Sequence, residues 1–121
     1  MDDQIYQSLK HIEDLLSLLV LEKKDAIMGK LLEVFGNSEQ RAKVYMEVDG
    51  RQTGKEIASK IGIYQPDVSG HLKSLAQSNI VRAVAKMGRG SIYAKNEAFE
   101  IIGLTEKVRE KFGLPLESVQ S

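Results

Sequence analysis

The chain has 121 residues and no cysteine, which fits a single domain and excludes disulfides, zinc ribbons and thiol catalysis. Hydrophobic residues make up 42% of it, tryptophan is absent and aromatic residues reach only 6%, so we expect a modest core of Ile, Leu, Val and Met. The net charge is zero, but residues 41–95 carry ten basic and four acidic residues, whereas residues 1–40 carry four basic and eight acidic ones, so the middle of the chain is basic.

The N-terminal segment has the features of neither a membrane span nor a leader peptide. The longest apolar run of the chain, Leu15 to Leu21, is seven residues long, and a bilayer requires about 20. The acidic start at Asp2 and Asp3 is unlike a secretory or mitochondrial leader. We therefore expect a cytoplasmic protein with no membrane partner.

Residues 3 to about 21 have the apolar spacing of an amphipathic helix. The spacing alternates between four and three residues, as in the seam of a coiled coil, and Leu15 and Leu18 widen the stripe. The helix either continues to Phe35 or restarts at Asp25. The stripe either packs on the rest of the chain or pairs with a second copy, and we favour a homodimer because so apolar a stripe is poorly suited to water. The predicted dimerisation residues are Ile5, Leu9, Ile12, Leu16 and Leu19.

Two short helices are predicted next. Asn37 or Ser38 can cap the first of them. Thr53 and Glu56 have the spacing of a capping box, in which each side chain binds the free backbone N–H of the other residue. Gly62 stands where the helix that follows this box would end in a left-handed residue, so that helix is only about two turns long.

A further helix begins around Pro66, because proline lacks an N–H that the first turn of a helix does not need. It runs to about Gln77, and its apolar face is formed by Val68, Leu72 and Leu75. Since only a tight turn separates it from the preceding helix, we expect the two helices to pack at a fixed angle around a small core.

A β-hairpin and a C-terminal helix are predicted after residue 79. Residues 80–95 alternate in polarity on both sides of a Gly88-Arg89-Gly90 turn, which predicts two strands with an arginine at the tip. Residues 97–112 are predicted to be helical. A break is expected near Gly103, with Thr105 as the cap of the second helical segment.

Helix, tight turn, helix and hairpin in this order are typical of a winged helix-turn-helix, here with extra N-terminal and C-terminal helices. The predicted fold class is therefore mainly α with a small β-hairpin (α+β). The stretch TGKEIASKIGIYQPDVSGHLKSLAQSNIVRAV, with the GRG turn that follows it, resembles the DNA-binding half of the ArsR-like and MarR-like winged-helix transcription regulators. The resemblance divides the chain into a dimerisation segment (1–36), a DNA-binding domain (37–96) and a C-terminal helix and tail (97–121).

The resemblance implies a sequence-specific, homodimeric transcription regulator that binds double-stranded DNA and is associated with the nucleoid. The recognition helix would enter the major groove, and the wing would contact the minor groove and phosphates. The dimer would form through the N-terminal helix, with the C-terminal helix as a second candidate element. An architectural chromatin protein, or a winged-helix module for protein interaction in a larger complex, remains the alternative. A small-molecule effector remains unknown.

Three groups of residues are predicted to contact DNA. Arg89, between two glycines, is expected to enter a minor groove. Gly70 stands where the regulators often carry a long basic residue, and its lack of a side chain either allows a closer approach to DNA or is simply tolerated. The predicted contacts are Tyr64, Gln65, Asp67, Ser69, Gly70, His71, Lys73 and Ser74 on the recognition helix, Lys86, Arg89, Ser91, Tyr93 and Lys95 on the wing, and Thr53, Lys55 and Lys60 on phosphates.

Enzymatic activity is not expected. His11 and His71 lie on different predicted helices, and neither has a cysteine or carboxylate at the spacing of metal ligands. We therefore predict no catalytic residue, no metal and no cofactor. The absence of cysteine also removes the thiol pair by which an ArsR-like regulator would sense metals.

Overall fold

The computed structural model describes residues 3–115, without the side chains of residues 17 and 19–22. Two compact units divide the chain, Met1–Lys30 and Leu31–Ser121. The predicted domain boundaries after residues 36 and 96 stay predictions. The elements are α1 (Asp3–Phe35), α2 (Glu39–Glu47), α3 (Gly54–Ile61), α4 (Gln65–Gln77), β1 (Val81–Met87), β2 (Gly90–Lys95), α5 (Glu97–Ile101) and α6 (Leu104–Phe112), which confirm a mainly helical chain with one hairpin.

Helix α1 is continuous across Asp25, so the alternative of a restart at that residue does not hold. The helix ends at Gly36, whose φ of 54° is left-handed and whose N–H donates to the carbonyl oxygens of Leu32 and Glu33, both at 3.1 Å. Within residues 3–115, no helix combines the length and the apolar character that a membrane crossing would require.

The predicted helix caps form in the second unit. Ser38 is the cap of α2 and its hydroxyl accepts a hydrogen bond from the backbone N–H of Arg41 at 3.1 Å. At the start of α3, the N–H of Glu56 donates to the Thr53 hydroxyl at 3.2 Å, and the N–H of Thr53 donates to the Glu56 carboxylate at 3.0 Å. Helix α3 ends at Gly62, with a φ of 69°. Local signals therefore set where these short helices begin and end.

One core holds α2, α4, the hairpin and α6 together. The three apolar residues predicted for α4, Val68, Leu72 and Leu75, are all buried, as the spacing predicted. Phe35 and Tyr45 pack edge to face, with ring centroids 5.3 Å apart. The side chains that are essentially inaccessible to solvent are those of Tyr45, Phe35, Ile57, Leu72, Leu75, Ile80, Leu104, Val44, Val68, Val81 and Val108.

The hairpin is antiparallel, with Val81 opposite Lys95 at its base and Met87 opposite Gly90 at its tip. A bulge at Val84 leaves this residue without a partner in the register. An additional bridge between Thr53 and Ile92 joins the hairpin to the start of α3. The hairpin is therefore fixed to the start of α3.

The C-terminal helical region is broken at Gly103, as predicted, and this glycine has a φ of 90°. The cap of α6 is Gly103 itself, so the prediction that Thr105 caps this helix was wrong. The hydroxyl of Thr105 instead donates to the carboxylate of Glu100 on α5. This side-chain bond crosses the turn between the two helices.

Candidate nucleic-acid interface

Helix α4, the hairpin tip and the start of α3 line one concave groove of about 440 Å³. Helix α4 contributes Gln65, Ser69, Leu72 and Lys73 to this groove, and the buried side chains on the opposite face of α4 fix its orientation. At the α3 end of the groove, the start of α3 packs closely against α4, because a Cβ added to Gly54 would lie 3.3 Å from Cδ1 of Leu72. The residues that line the groove are Thr53, Gly54, Lys55, Gln65, Ser69, Leu72, Lys73, Met87, Arg89, Gly90, Ser91 and Tyr93.

The charge of this groove is entirely positive. Its lining residues include three cations, Lys55, Lys73 and Arg89, and no carboxylate. All three cationic residues are exposed, and no ion pair among the described residues engages them. A concave surface lined by one sign of charge concentrates the field and attracts ligands of the opposite charge. The groove is therefore suited to a polyanion.

Eight of the predicted contact residues meet in this groove although they come from three separate elements. Gln65 and Lys73 are exposed on α4, and Arg89 is exposed at the tip of the hairpin. Gln65 can both donate and accept hydrogen bonds, whereas the two cations can only donate. The eight residues are Thr53, Lys55, Gln65, Ser69, Lys73, Arg89, Ser91 and Tyr93.

The hydroxyl of Thr53, which was predicted to contact phosphate, has a structural role in the capping box. The residue is only 9% exposed, and its Oγ1 accepts the N–H of Glu56 at 3.2 Å. A Cβ on Gly90 would lie 3.4 Å from Thr53, so the hairpin packs closely against this side chain. Thr53 therefore shapes the groove, and its hydroxyl is already engaged.

A second hollow of about 470 Å³ lies over the exposed face of α4, around Gly70. Gly70 is exposed, and a Cβ added to it would meet nothing within 4 Å. A glycine inside a helix costs about 1 kcal/mol of stability relative to alanine. Tyr64, which is 72% exposed, and Asp67 lie exposed at the start of the same helix, and Ser74 is half-buried.

The structure corrects the predicted position of Lys95. The residue pairs with Val81 at the base of the hairpin, far along the strands from the tip that carries Arg89. Its Nζ lies 4.6 Å from the centroid of the Tyr45 ring and donates to the hydroxyl of Thr105 at 3.2 Å. Lys95 therefore does not flank Arg89 but joins the hairpin to α2 and α6.

Lys60 and Lys86 also lie outside the groove. The Nζ of Lys60 is 2.7 Å from the Oε1 atom of Glu47, whose side chain is 12% exposed, so this lysine forms an ion pair between α3 and α2. Its predicted contact with phosphate stays a prediction. Lys86 is exposed on β1 opposite Ser91, next to the tip of the hairpin.

His71 faces α2, which sequence spacing alone did not predict. Nε of Arg41 donates to Nδ1 of His71 at 3.1 Å, so the neutral ring carries its proton on Nε2, which donates to Oε1 of Gln40 at 2.8 Å. Burial, followed by the charge of Arg41, lowers the pKa of His71 below its ordinary value. These contacts place the ring of His71 in the packing of α4 on α2, and its predicted contact with DNA stays a prediction.

Four lining residues were not predicted as contacts: Gly54, Leu72, Met87 and Gly90. Met87 is 62% exposed at the hairpin tip, and Gly54 follows the capping threonine directly. A small residue right after the cap of a short helix is the sequence signal that could have identified Gly54. Within the described residues, no group of three or more His, Cys, Asp or Glu side chains could hold a metal ion.

No protein-family model matches the sequence, and no curated protein is significantly similar to it. Several solved structures have a similar fold. The alignment with reduced HlyU from Vibrio cholerae N16961 has a TM-score of 0.54 and 18% identity, and covers 77% of this chain and 97% of HlyU. The alignment with apo MarR from E. coli has a TM-score of 0.54 and 17% identity, and covers 83% of this chain and 76% of MarR.

MepR, described as a transcription regulator of the Staphylococcus aureus multidrug efflux pump MepA, has a TM-score of 0.52 at 21% identity, and the alignment covers 82% of this chain and 74% of MepR. At such identities the likeness establishes the fold. It agrees with the order of helices and hairpin described above and with the resemblance that the sequence suggested. The chain has the winged-helix fold of these proteins.

Proposed function

We propose that this protein is a homodimeric transcription regulator that binds double-stranded DNA sequence-specifically. Helix α4 would enter the major groove, and the hairpin tip would reach the adjacent minor groove and its phosphates. The observation that carries the proposal is the shared groove, to which α3, α4 and the hairpin tip contribute Lys55, Lys73 and Arg89, with no carboxylate among the lining residues.

The dimensions and side chains of α4 support this placement. A helix with its side chains is about 10–12 Å across, and the major groove of B-DNA is about 12 Å wide. The Gln65 amide can donate to and accept from one base, as in the bidentate pairing of glutamine with adenine. Ser69 can bond to a neighbouring base edge, while Lys73 is suited to phosphate. Arg89 at the tip is suited to the narrow, negative minor groove of A-tracts.

The proposal of a homodimer rests on the apolar stripe of α1. Ile5, Leu9, Ile12 and Leu16 are each between 51% and 56% exposed, although all four are large aliphatic side chains. A second copy of the chain would remove them from water. The side chain of Leu19, the fifth predicted dimerisation residue, lies outside the described residues.

The C-terminal helix remains a second candidate element of the dimer. Ile101, at the end of α5, is 84% exposed. A dimer would place two copies of α4 in successive major grooves, about 34 Å apart on a pseudo-palindromic site. A protein with this activity would be cytoplasmic and associated with the nucleoid.

Fluorescence anisotropy with a duplex selected from a randomised library tests the proposal. We expect the wild-type protein to prefer the selected duplex over a scrambled one by about a thousandfold or more at physiological salt. Lys73→Ala and Arg89→Ala should weaken binding and flatten its salt dependence, because each removes a cation that displaces counterions. Lys43→Ala, which removes the same charge from the exposed face of α2 outside the groove, is the matched control.

Two results would contradict the proposal. Equal binding to selected and scrambled duplexes, lost uniformly as salt rises, would indicate an architectural protein. No binding to either duplex would favour a protein-interaction module.

A further inference from the structure

The glycine in the exposed face of α4 has no explanation within the chain itself. A Cβ on Gly70 would meet nothing within 4 Å, and its φ is not positive. Gly54 and Gly62 differ in this respect. A Cβ added to Gly54 would lie 3.3 Å from Cδ1 of Leu72, and Gly62 has a φ of 69°. Neither packing nor backbone conformation therefore requires a glycine at position 70, and the helix is weaker for having one. Gly29 shares these features in α1, but Gly70 lies beside Gln65, Ser69 and Lys73 on α4, so a role in binding is considered for Gly70.

The five residues that line the hollow around Gly70 fall into two groups by their chemistry. Pro66 and Gly70, which we call the floor, are four residues apart, so they lie on the same side of the helix. Pro66 has no N–H, and Gly70 has no side chain and an N–H that belongs to the hydrogen-bond ladder of the helix. Gln65, Ser69 and Lys73, which we call the rim, contribute polar side chains.

We propose that this hollow, the Gly70 notch, seats the C5-methyl group of a thymine, so that Gly70 helps to determine the DNA sequence that the protein selects. This inference rests on the proposed function. The thymine methyl is the apolar group that base pairs present in the major groove. Pro66 and Gly70 offer no side-chain donor to a phosphate, whereas both are compatible with an apolar group. The polar rim fits the hydrogen-bonding base edges that surround the methyl group.

The geometry assigns a separate role to each part of the notch. Gln65 and Ser69 bond to base edges on the rim, while the floor at Pro66 and Gly70 allows the helix to approach the methyl group closely. A methyl group on residue 70 would occupy the same space as the thymine methyl. Removing either methyl would relieve the clash, so the effects of the two changes are expected to be coupled rather than additive.

The test is a double-mutant cycle between the protein and the DNA. The probe is a duplex selected from a randomised library with the wild-type protein, in which each thymine is replaced in turn by deoxyuridine. We expect one thymine per half-site whose replacement weakens wild-type binding several-fold. Gly70→Ala should bind the thymine duplex about tenfold more weakly, and should recover most of that loss on the deoxyuridine duplex.

Gly29→Ala is the matched control. Gly29 is also exposed inside a helix and has open space around its Cβ position, but it lies in α1. Both alanine variants should melt at or above the temperature of the wild type, because alanine favours the helix, so loss of folding cannot imitate the expected result. Gly29→Ala should keep the wild-type ratio of affinities between the thymine and deoxyuridine duplexes, because an effect through α1 would not depend on the thymine methyl.

Two outcomes would overturn the inference while leaving the proposed function intact. The first is that Gly70→Ala binds the thymine duplex as tightly as the wild type. The second is that it loses the same factor on the thymine and deoxyuridine duplexes. A wild-type protein that selects no sequence from the library would overturn both the inference and the proposed function.

Discussion

The imidazole of His71 on α4 accepts a hydrogen bond from the guanidinium of Arg41 on α2, with Nε and Nδ1 3.1 Å apart. Nη1 of the same guanidinium donates to the carbonyl oxygen of Val34, in the last turn of α1, at 2.6 Å. Arg41 therefore joins the end of α1 to the helix that we propose enters DNA. The bond requires an unprotonated Nδ1, so it exists only while His71 is neutral.

This bond predicts a dependence of stability on pH. The pKa of His71 is lowered from its ordinary value of 6.5 by burial and by the charge of Arg41, against a smaller opposing effect of Asp67. Below pH 6.5 the unfolded chain takes up a proton at His71 before the folded chain does, so the free energy of unfolding falls as the pH is lowered. The pH dependence of stability that comes from His71 fades within about one unit above pH 6.5.

Urea unfolding at a series of pH values measures this effect. His71→Gln should flatten the decline below pH 6.5, because glutamine does not titrate. A His71→Gln protein with the wild-type slope would contradict the assignment.

The capping box at the start of α3 predicts a second effect on stability. Thr53→Ala removes the acceptor of the Glu56 N–H and should lower the free energy of unfolding by about 1 kcal/mol. Thr53→Ser keeps the hydroxyl and should retain most of that stability in urea unfolding. If the serine and alanine variants are equally destabilised, the methyl group of Thr53 matters and the cap does not.

The hydrogen bond of the Tyr45 hydroxyl predicts a third effect on stability. It donates to the carboxylate of Glu100, which also accepts from Thr105, and burial, followed by the bond to Glu100, raises the pKa of Tyr45 well above its ordinary value. Tyr45→Phe leaves a part-buried carboxylate without one of its donors and should cost about 1–2 kcal/mol in urea unfolding. Tyr93→Phe, in the groove, is the control and should cost less than about 0.5 kcal/mol. Similar losses in both variants would contradict the specific role of Tyr45.

The dimer proposal predicts that a charge in the apolar stripe separates the two chains. Ile12→Glu places a carboxylate at a residue that is 52% exposed in the single chain and that a second copy would cover. Light scattering should then give the mass of one chain, and DNA affinity should fall by about a hundredfold or more, because the two half-sites no longer bind as one unit. Gln7→Glu, an exposed residue on another face of α1, should leave both unchanged. A wild-type protein that is already monomeric would contradict the proposal.

Local signals in the sequence predicted most of the fold. The caps at Ser38 and Thr53, the left-handed end at Gly62, and the buried face of α4 all depend on residues within four positions of one another, and all formed as predicted. The break at Gly103 was predicted for the same reason, although Thr105 was assigned the wrong role there.

The orientation of individual side chains could not be predicted in the same way. His71 bonds to Arg41, 30 residues earlier in the chain, and Lys95 bonds to Thr105 on α6. Helical spacing places His71 next to exposed positions, but the packing of α2 on α4 decides which surface its ring faces. Likewise, alternation along β2 does not specify that the base of the hairpin packs against the Tyr45 ring. The sequence therefore identified the groove better than it identified the residues around the edge of the groove.

Backbone amide chemical shifts, mapped on addition of the selected duplex to the isotope-labelled protein, show which surface meets DNA. We expect the largest changes along one face of α4, at Gln65, Ser69 and Lys73, and at Arg89 in the hairpin tip, with α6 little affected. Changes concentrated on α1 or α6, with α4 and the hairpin tip unchanged at saturating DNA, would contradict the binding of DNA by this groove.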